Sequence, residues 1–265
     1  MRITVLTSNH ARHAALIRTL AAQSEEVFAI QECNTLFPGT VSDLYPKSEV
    51  MAKYFEAVRA AECEVFGSVK FLPPNVRTLA LKLGDLNRIP LDILEAALQS
   101  DYYVVFGASY IKGALCDALV ERGALNIHLG TSPYYRGSSC NFWALYDGRA
   151  DYVGATIHRL SKGLDSGAML FHALPKPAAV DGFVLGMQAV RVAHLGLAHY
   201  LKNGEIKQMD PLPQDKSLQL RYARMSDFTD EIVRDYCSSK ILDPQQIHAV
   251  LKRRDLAAFS RPFVG

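Results

Sequence analysis

The opening of the chain constrains the fold more than any other part. Residues 2–6 form an apolar run typical of a buried strand, residues 11–20 carry apolar side chains at helical spacing, and residues 27–31 form a second strand-like run. A strand, a helix and a strand in this order and at this spacing predict a parallel α/β unit. The turn after the first strand lacks the G-x-G-x-x-G pattern, which argues against a dinucleotide cofactor such as NAD.

The rest of the chain continues this alternation of strands and helices. Residues 102–107 form the strongest strand-like run, apolar on both faces, and are expected near the centre of the sheet. The patterns predict further strands at 81–84, 124–128, 152–159, 169–174 and 218–223, and helices at 48–66, 91–98, 113–121, 140–146, 182–201, 229–238 and 244–254. The predicted fold class is therefore α/β, with a mainly parallel sheet and a small C-terminal appendage of helices and a strand.

Charge, hydropathy and cysteine usage argue against several classes of function. The net charge is only +2 and the basic residues are scattered, unlike the concentrated positive stripe of a nucleic-acid-binding protein. No apolar stretch reaches the length of a membrane span, and the N-terminal run is too short for a signal core, so we expect a cytoplasmic protein without membrane partners. The five cysteines form no C-x-x-C pair and are odd in number, which favours free thiols, and we expect no metal site.

The chemically informative residues cluster around Asn126 and His128. They lie two positions apart at the end of a predicted strand, so an extended backbone points both side chains to the same side. An asparagine can hold a developing negative charge while a histidine moves a proton, and the later Asp165 can orient the histidine. Taken singly, each residue is more often a turn former or a structural side chain. Their occurrence together predicts a site for acyl transfer to an amine.

These residues belong to a longer series of motifs in a fixed order. The series comprises Asn126-Ile127-His128, Pro133-Tyr134-Tyr135-Arg136-Gly137, Gly154-Ala155-Thr156 and Asp165-Ser166-Gly167. It resembles the folate-dependent formyltransferase family, which includes glycinamide ribonucleotide transformylase, methionyl-tRNA formyltransferase and amino-sugar N-formyltransferases. The resemblance covers roughly residues 1 to 175. It implies a Rossmann-like formyltransferase catalytic domain over residues 1–180, followed by a C-terminal helix and small appendage over residues 181–265.

The resemblance implies that Asn126, His128 and Asp165 are the catalytic set and that 10-formyltetrahydrofolate is the formyl donor, released as tetrahydrofolate. Attack by a neutral amine makes the formyl oxygen negative, and the amide of Asn126 and a protonated His128 can donate hydrogen bonds to it. Asp165 can stabilise the imidazolium and relay the proton of the amine. The pterin pocket of the family is built from segments 106–112 and 160–165, which here supply Phe106, Ser109, Tyr110, Ile111, Lys112, Leu160 and Leu164. Tyr110 and Ile111 could equally be packing residues.

The segment after His128 departs from the usual Ser-Leu-Leu-Pro and reads Leu129-Gly130-Thr131-Ser132-Pro133. This form is similar to enzymes that formylate amino sugars for surface polysaccharides such as lipopolysaccharide O-antigen. The tail after residue 180 is too small for the RNA-contacting barrel of methionyl-tRNA formyltransferases and lacks a basic surface. We therefore expect the acceptor to be a nucleotide-linked amino-deoxysugar of the GDP-perosamine type, contacted by Thr131, Tyr134 and Arg136.

Other functions remain open at this point. The formyl group could go to methionyl-tRNA or to glycinamide ribonucleotide. A formyl hydrolase would release formate to water, although such enzymes usually carry an extra N-terminal regulatory domain. A folate-binding protein without turnover would need none of Asn126, His128 and Asp165, so their joint presence argues against it. The tail after residue 180 could also form a dimer contact, so a homodimer stays open.

Overall fold

A twisted eight-stranded sheet forms the centre of the part of the chain that the computed structural model describes, residues 1–34, 48–239 and 243–265. The strand order across it is β10-β8-β7-β5-β4-β1-β2-β3, and a separate two-stranded ribbon pairs β6 with β9. The strands are β1 Arg2–Ser8, β2 Glu26–Cys33, β3 Val76–Lys82, β4 Tyr102–Val105, β5 Leu125–His128, β6 Tyr135–Gly137, β7 Ala155–Arg159, β8 Met169–Leu174, β9 Arg221–Ala223 and β10 Phe263–Val264.

The sheet is parallel from β3 through β5, and β7 then reverses direction. β7 runs antiparallel to β5 and to β8, while β10 lies parallel to β8. The expected α/β class with a mainly parallel sheet is thus confirmed, and β4 occupies the central position predicted for it between β1 and β5. The antiparallel β7 places His158 directly opposite Asn126 and Thr156 opposite His128.

Helices cover both faces of the sheet. They are α1 Ala11–Ala21, α2 Glu49–Phe66, α3 Gly113–Glu121, α4 Cys140–Tyr146, α5 Gly182–Lys202, α6 Asp230–Ser238 and α7 Pro244–Lys252. On one face α1 and α5 pack their apolar sides on the strands, and α3 does so on the other. A separate cluster, rich in aromatic side chains, joins α4 to α6 and α7. Polar side chains fix several helix starts: Ser48 and Asp181 each accept hydrogen bonds from the first-turn amides.

Two predicted elements are wrong. The strand expected at 81–84 is the end of β3, which begins at Val76. The apolar pattern missed it because β3 is an edge strand in which four of seven residues are exposed and none is buried. The helix expected at 91–98 is two 3₁₀ turns, Leu91–Leu94 and Ala97–Gln99. Their buried residues, Leu94 and Ala97, are three apart, which suits the three-residue period of a 3₁₀ turn.

The C-terminal residues are tied closely to the sheet. β10 is a sheet strand, β9 pairs with β6, and the guanidinium of Arg254 donates to the carbonyl oxygens of Asp151, Val153 and Pro175. The division of the chain at residue 180 stays a prediction. Within the described residues, no helix combines the length and the apolar composition needed to cross a membrane.

A bulge interrupts the pairing of β7 with β8. Ile157 lies opposite Phe171, but its neighbour His158 lies opposite Met169, so Leu170 is an extra residue on β8. The loop between these strands, residues 160–168, contains Asp165 and is closed by a hydrogen bond from the Arg159 amide to the Ala168 carbonyl oxygen. The bulge therefore sets the register of the strands that flank this loop.

Two histidines lie buried beside Phe106 on the face covered by α1 and α5. His13 and His194 are 3% and 2% exposed, and one ring nitrogen of each has no hydrogen-bond partner among the described residues. Burial, reinforced by the positive charge of Arg12, lowers the pKa of His194 from 6.5 to about 3. The unfolded chain therefore binds more protons than the folded chain at mildly acidic pH.

Replacing His194 with Leu should weaken the pH dependence of stability. Because the folded pKa lies below the unfolded value, the contribution of neutral His194 is complete above about pH 6.5 and is lost as the pH falls towards about 3. In this window the substitution should remove about 1.4 kcal/mol per pH unit from the slope of the free energy of unfolding. Urea unfolding at several pH values measures the slope, and the exposed His199→Gln on the same helix serves as the control. An unchanged slope in His194→Leu would contradict the assignment.

Candidate functional site

The candidate site lies where β4 and β5 end and the loop 160–168 folds back over them. A cavity of about 270 Å³ opens here. Its wall combines apolar and polar residues and includes the segment 106–111 after β4. The lining residues are Val105, Phe106, Gly107, Ala108, Ser109, Tyr110, Ile111, Asn126, Ile127, His128, Leu129, His158, Leu160, Ser161, Gly163, Leu164 and Asp165. The size and the mixed lining suit the head of a flat, partly apolar ligand.

The carboxylate of Asp165 joins the two side chains of the Asn-x-His motif. Its Oδ1 accepts a hydrogen bond from Asn126 Nδ2 at 3.1 Å, and its Oδ2 lies 3.3 Å from His128 Nδ1. The structure therefore brings together the three residues that the sequence selected, although 37 residues separate the histidine from the aspartate along the chain. Asp165 has a left-handed backbone, with φ of 44°, which is unusual for a residue other than glycine.

The charges of His128 and Asp165 stabilise one another. Burial alone would lower the pKa of His128, but the neighbouring Cys140 sulfur and the Asp165 carboxylate overcome it and raise that pKa well above 6.5. Burial opposes ionisation of Asp165, but its contact with His128 lowers its pKa below the ordinary value. Both shifts favour an imidazolium paired with a carboxylate at the wall of the cavity.

His158 fixes the orientation of the Asn126 amide. His158 Nδ1 lies 2.7 Å from the carbonyl oxygen of Arg159, which can only accept, so Nδ1 carries the proton and Nε2 is an acceptor. Asn126 Nδ2 then donates to His158 Nε2 at 3.0 Å as well as to Asp165. His158 is not among the residues that the sequence motifs select. Its signal was its place two residues after Thr156 in the Gly-x-Thr strand.

Cys140 occupies the other side of the His128 ring. Its Sγ lies 3.4 Å from His128 Nε2 and 3.5 Å from the carbonyl oxygen of Gly137, and the residue is 2% exposed. The approach needs a glycine at position 130, because a Cβ there would lie 2.4 Å from Cys140 Cβ and 2.9 Å from His128 Nε2. Both nitrogens of His128 therefore have a partner, and the ring cannot turn freely.

Six of the seven predicted cofactor residues line the cavity: Phe106, Ser109, Tyr110, Ile111, Leu160 and Leu164. Leu164 and Tyr110 are 60% and 52% exposed at its mouth, and the Tyr110 hydroxyl donates to the carbonyl oxygen of Lys162. Lys112 does not line the cavity; it precedes α3 and its amide donates to the side chain of Asn87.

Two side chains outside the predicted set hold the segment 106–112 in place. Glu32, fully buried at the end of β2, accepts from the amides of Ser109 at 2.7 Å and Gly84 at 2.8 Å. Asn87 accepts from the amide of Lys112 and donates to the carbonyl oxygen of Tyr110. The only signal for Glu32 was an acidic residue at the end of an apolar strand.

None of the three residues expected to contact an acceptor lines the cavity, and two of them, Tyr134 and Arg136, bond with the C-terminal part of the chain. Thr131 Oγ1 donates to the carbonyl oxygen of Tyr152, and the hydroxyl of Tyr134 donates to that of Ala258. Arg136 reaches Gln219, and its buried Nε has no hydrogen-bond partner among the described residues. Their acceptor role stays a prediction.

The segment after His128 is also tied to the tail. His172 Nε2 donates to the carbonyl oxygen of Ser132 at 2.7 Å, and its Nδ1 accepts from the amide of Ser260 at 2.9 Å. This buried histidine uses both nitrogens in the neutral form, and burial lowers its pKa. The conformation of the loop after β5 thus depends on residues near position 260.

Comparisons with known proteins agree with this geometry. Residues 92–180 match the family model described as Formyl transferase. The methionyl-tRNA formyltransferase of Cyanothece sp. (strain PCC 7425) is 29% identical over 212 residues, which cover 71% of this chain and 60% of that protein. The chain thus spans about 60% of the length of this relative.

Two solved structures share the fold. A 4-N formyltransferase from Francisella tularensis gives a TM-score of 0.52 at 14% identity, covering 86% of this chain and 77% of the other. WlaRD, a sugar 3N-formyl transferase crystallised in the presence of dTDP and 5-N-formyl-THF, gives 0.50 at 13% identity, covering 86% and 71%. At these identities the likeness is one of fold.

Replacing Cys140 with Ala should lower the pKa of His128. The sulfur is one of the two neighbours that raise that pKa against the effect of burial, and the substitution removes it while leaving Asp165 in place. NMR titration of the histidine side chains measures the shift. Cys116→Ala, at a second buried thiol that belongs to α3, is the matched control and should leave His128 unchanged. An unaltered titration of His128 in Cys140→Ala would contradict the contact.

Proposed function

We propose, from the match of residues 92–180 to the formyl transferase family model, that this chain transfers a formyl group from 10-formyltetrahydrofolate to an amine. The observation that carries the proposal is the convergence of Asn126, His128 and Asp165 on one wall of the cavity. The relatives are named as formyltransferases, and WlaRD was crystallised with a formylated folate. We place the catalytic unit in residues 1–180, with residues 181–265 as its appendage.

The cavity fits the head of a folate on three grounds. Apolar side chains, among them Phe106, Ile111 and Leu160, can pack against a flat ring. Residues 106–111 line the cavity, and Glu32 and Asn87 fix the backbone of this segment in advance. The half-exposed Tyr110 and Leu164 leave the mouth open for the rest of the molecule. When bound, the folate supplies the formyl group.

The residues of the site can hold and move charge during the transfer. The imidazolium of His128 lies at the cavity wall, where its positive charge would stabilise the oxygen that becomes negative as the amine attacks. Asn126 can donate to the same oxygen by releasing one of its two present acceptors. The low pKa of Asp165 makes it a weak base, so its main role is to keep His128 charged and oriented. His128 can give its proton to the nitrogen of the donor as that nitrogen departs, and the proton that the attacking amine loses can restore the imidazolium.

We infer that the acceptor is the amino group of a nucleotide-linked amino-deoxysugar, with a GDP-perosamine-type compound as the leading choice, for polysaccharide such as O-antigen. The sequence after His128 and the fold likeness to a 4-N formyltransferase and to a sugar 3N-formyl transferase support this choice. In residues 181–265 the basic and acidic residues are nearly balanced, which gives RNA little to bind. A second candidate is methionyl-tRNA, because the curated relative at 29% identity is a methionyl-tRNA formyltransferase.

Replacing His128 with Asn should abolish most of the turnover while leaving the fold intact. The substitution removes the positive charge and the proton donor at the cavity wall but keeps a polar side chain of smaller size. We expect kcat to fall by roughly 10²- to 10⁴-fold. Kinetics under saturating formyl donor measure the loss, with circular dichroism as the check on folding. Near-normal turnover would refute the role of His128.

An acceptor panel should identify the substrate class. Purified full-length chain and 10-formyltetrahydrofolate are incubated with GDP-, dTDP- and UDP-linked amino-deoxysugars, methionyl-tRNA and glycinamide ribonucleotide. We expect a gain of one formyl group, read by mass spectrometry, on a nucleotide sugar and not on the other two. The His128→Asn chain is the blank for uncatalysed transfer. Formylation of methionyl-tRNA or of glycinamide ribonucleotide alone would overturn the choice of a sugar.

A further inference from the structure

The loop that carries Asp165 is held by Gln214, a residue of the C-terminal appendage. Leu212 and Met169 exchange two backbone hydrogen bonds, at 2.7 and 2.8 Å, at the start of β8. Two residues further on, Gln214 Nε2 donates to the carbonyl oxygens of Asp165 at 2.8 Å and of Gly167 at 2.9 Å. The segment 212–214 therefore contacts the Asp-Ser-Gly turn in two ways: Leu212 pairs with the strand that follows the turn, and Gln214 bonds with the carbonyl oxygens at both ends of it.

The hydrogen bonds of Gln214 are unambiguous in direction. Both partners are carbonyl oxygens, which only accept, so both amide hydrogens of Gln214 face the turn. Its Oε1 is then left buried without a hydrogen-bond partner among the described residues. The two hydrogen bonds of Nε2 therefore determine the orientation of this side chain, since its oxygen makes none.

The turn depends on such external support. Asp165 holds a left-handed backbone, and Gly167 comes so close to the strand that a Cβ there would collide with the Arg159 carbonyl oxygen. The preceding Lys162, Gly163 and Leu164 are exposed and contribute little packing. Because the Asp165 carboxylate hangs from this backbone, a small rotation of the turn would change its distance to His128.

We propose that Gln214 is a positioning residue, which fixes the backbone of Asp165 so that its carboxylate stays paired with Asn126 and His128. Gln214 does not line the cavity and is not a catalytic residue. The effect on catalysis rests on the proposed formyl transfer, whereas the effect on the Asp165–His128 pair does not. The appendage thereby contributes to the geometry of the site, although none of its residues lines the cavity.

The test replaces Gln214 with Met, which has nearly the same length but no donor, and compares it with Gln208→Met on an exposed position of the same appendage. The first readout is the titration of His128 by NMR, which needs no substrate. The titratable groups facing His128 are Asp165 and Cys140, and Cys140 is untouched by the substitution. We expect the pKa of His128 to fall in Gln214→Met and to stay at the wild-type value in Gln208→Met.

The second readout is kinetic. Gln214→Met should lower kcat roughly 10- to 100-fold with little change in KM for either substrate, since a displaced catalytic group affects the transition state more than binding. The same substitution in an Asp165→Asn background should cost almost nothing further, because the positioned carboxylate is already gone. A milder variant, Gln214→Asn, keeps the amide but is one methylene too short, and replaces Gln214→Met if that protein does not fold.

The two readouts separate the two claims. A fall in the pKa of His128 in Gln214→Met, together with no formyl transfer by the wild type, would support the positioning role of Gln214 and refute the proposed function. A His128 pKa equal to that of Gln208→Met, or kinetic losses that simply add to those of Asp165→Asn, would overturn the role of Gln214.

Discussion

The site depends on how one carboxylate divides its two oxygens. Oδ1 of Asp165 takes the amide of Asn126, and Oδ2 takes the imidazolium of His128. A largely buried charge pair of this kind is costly unless its geometry is held. The surrounding residues supply that geometry: His158 holds the amide, Cys140 and the bare backbone of Gly130 hold the far side of the ring, and the carbonyl oxygens at both ends of the Asp-Ser-Gly turn are bound from outside.

The parts of the fold that follow from local pattern could be predicted from the sequence. α3, α4 and β8 have the bounds that the apolar spacing indicated, because each buries one regular stripe or a continuous apolar run. Elements that exist only through distant partners could not. β6 and β10 are two or three residues long and are strands because β9 and β8 lie beside them. The edge strand β3 buries too little to leave a periodic signal.

The same distinction holds for the site. Asn126, His128 and Asp165 could be selected because their types, order and spacing are written in one stretch of sequence. Their supports could not, since Glu32 meets the amide of Ser109 from 77 residues away and Gln214 meets Asp165 from 49 residues away. Tyr134 and Arg136, predicted from the motif as acceptor residues, bond with the tail, and the sequence does not reveal which face of a loop the chain end will cover.

The extra residue at Leu170 has a consequence for how this site can change. Met169 pairs both with His158 of β7 and with Leu212, so it fixes the register of β8 against both segments. The Asp165 loop ends one residue before it. A substitution in the loop alters one side chain, whereas the loss or gain of one residue would move the carboxylate by a full position relative to both strands and to Gln214. In a lineage of such proteins, insertions should therefore collect at other turns, and the length of the segment 159–169 should vary less than its composition.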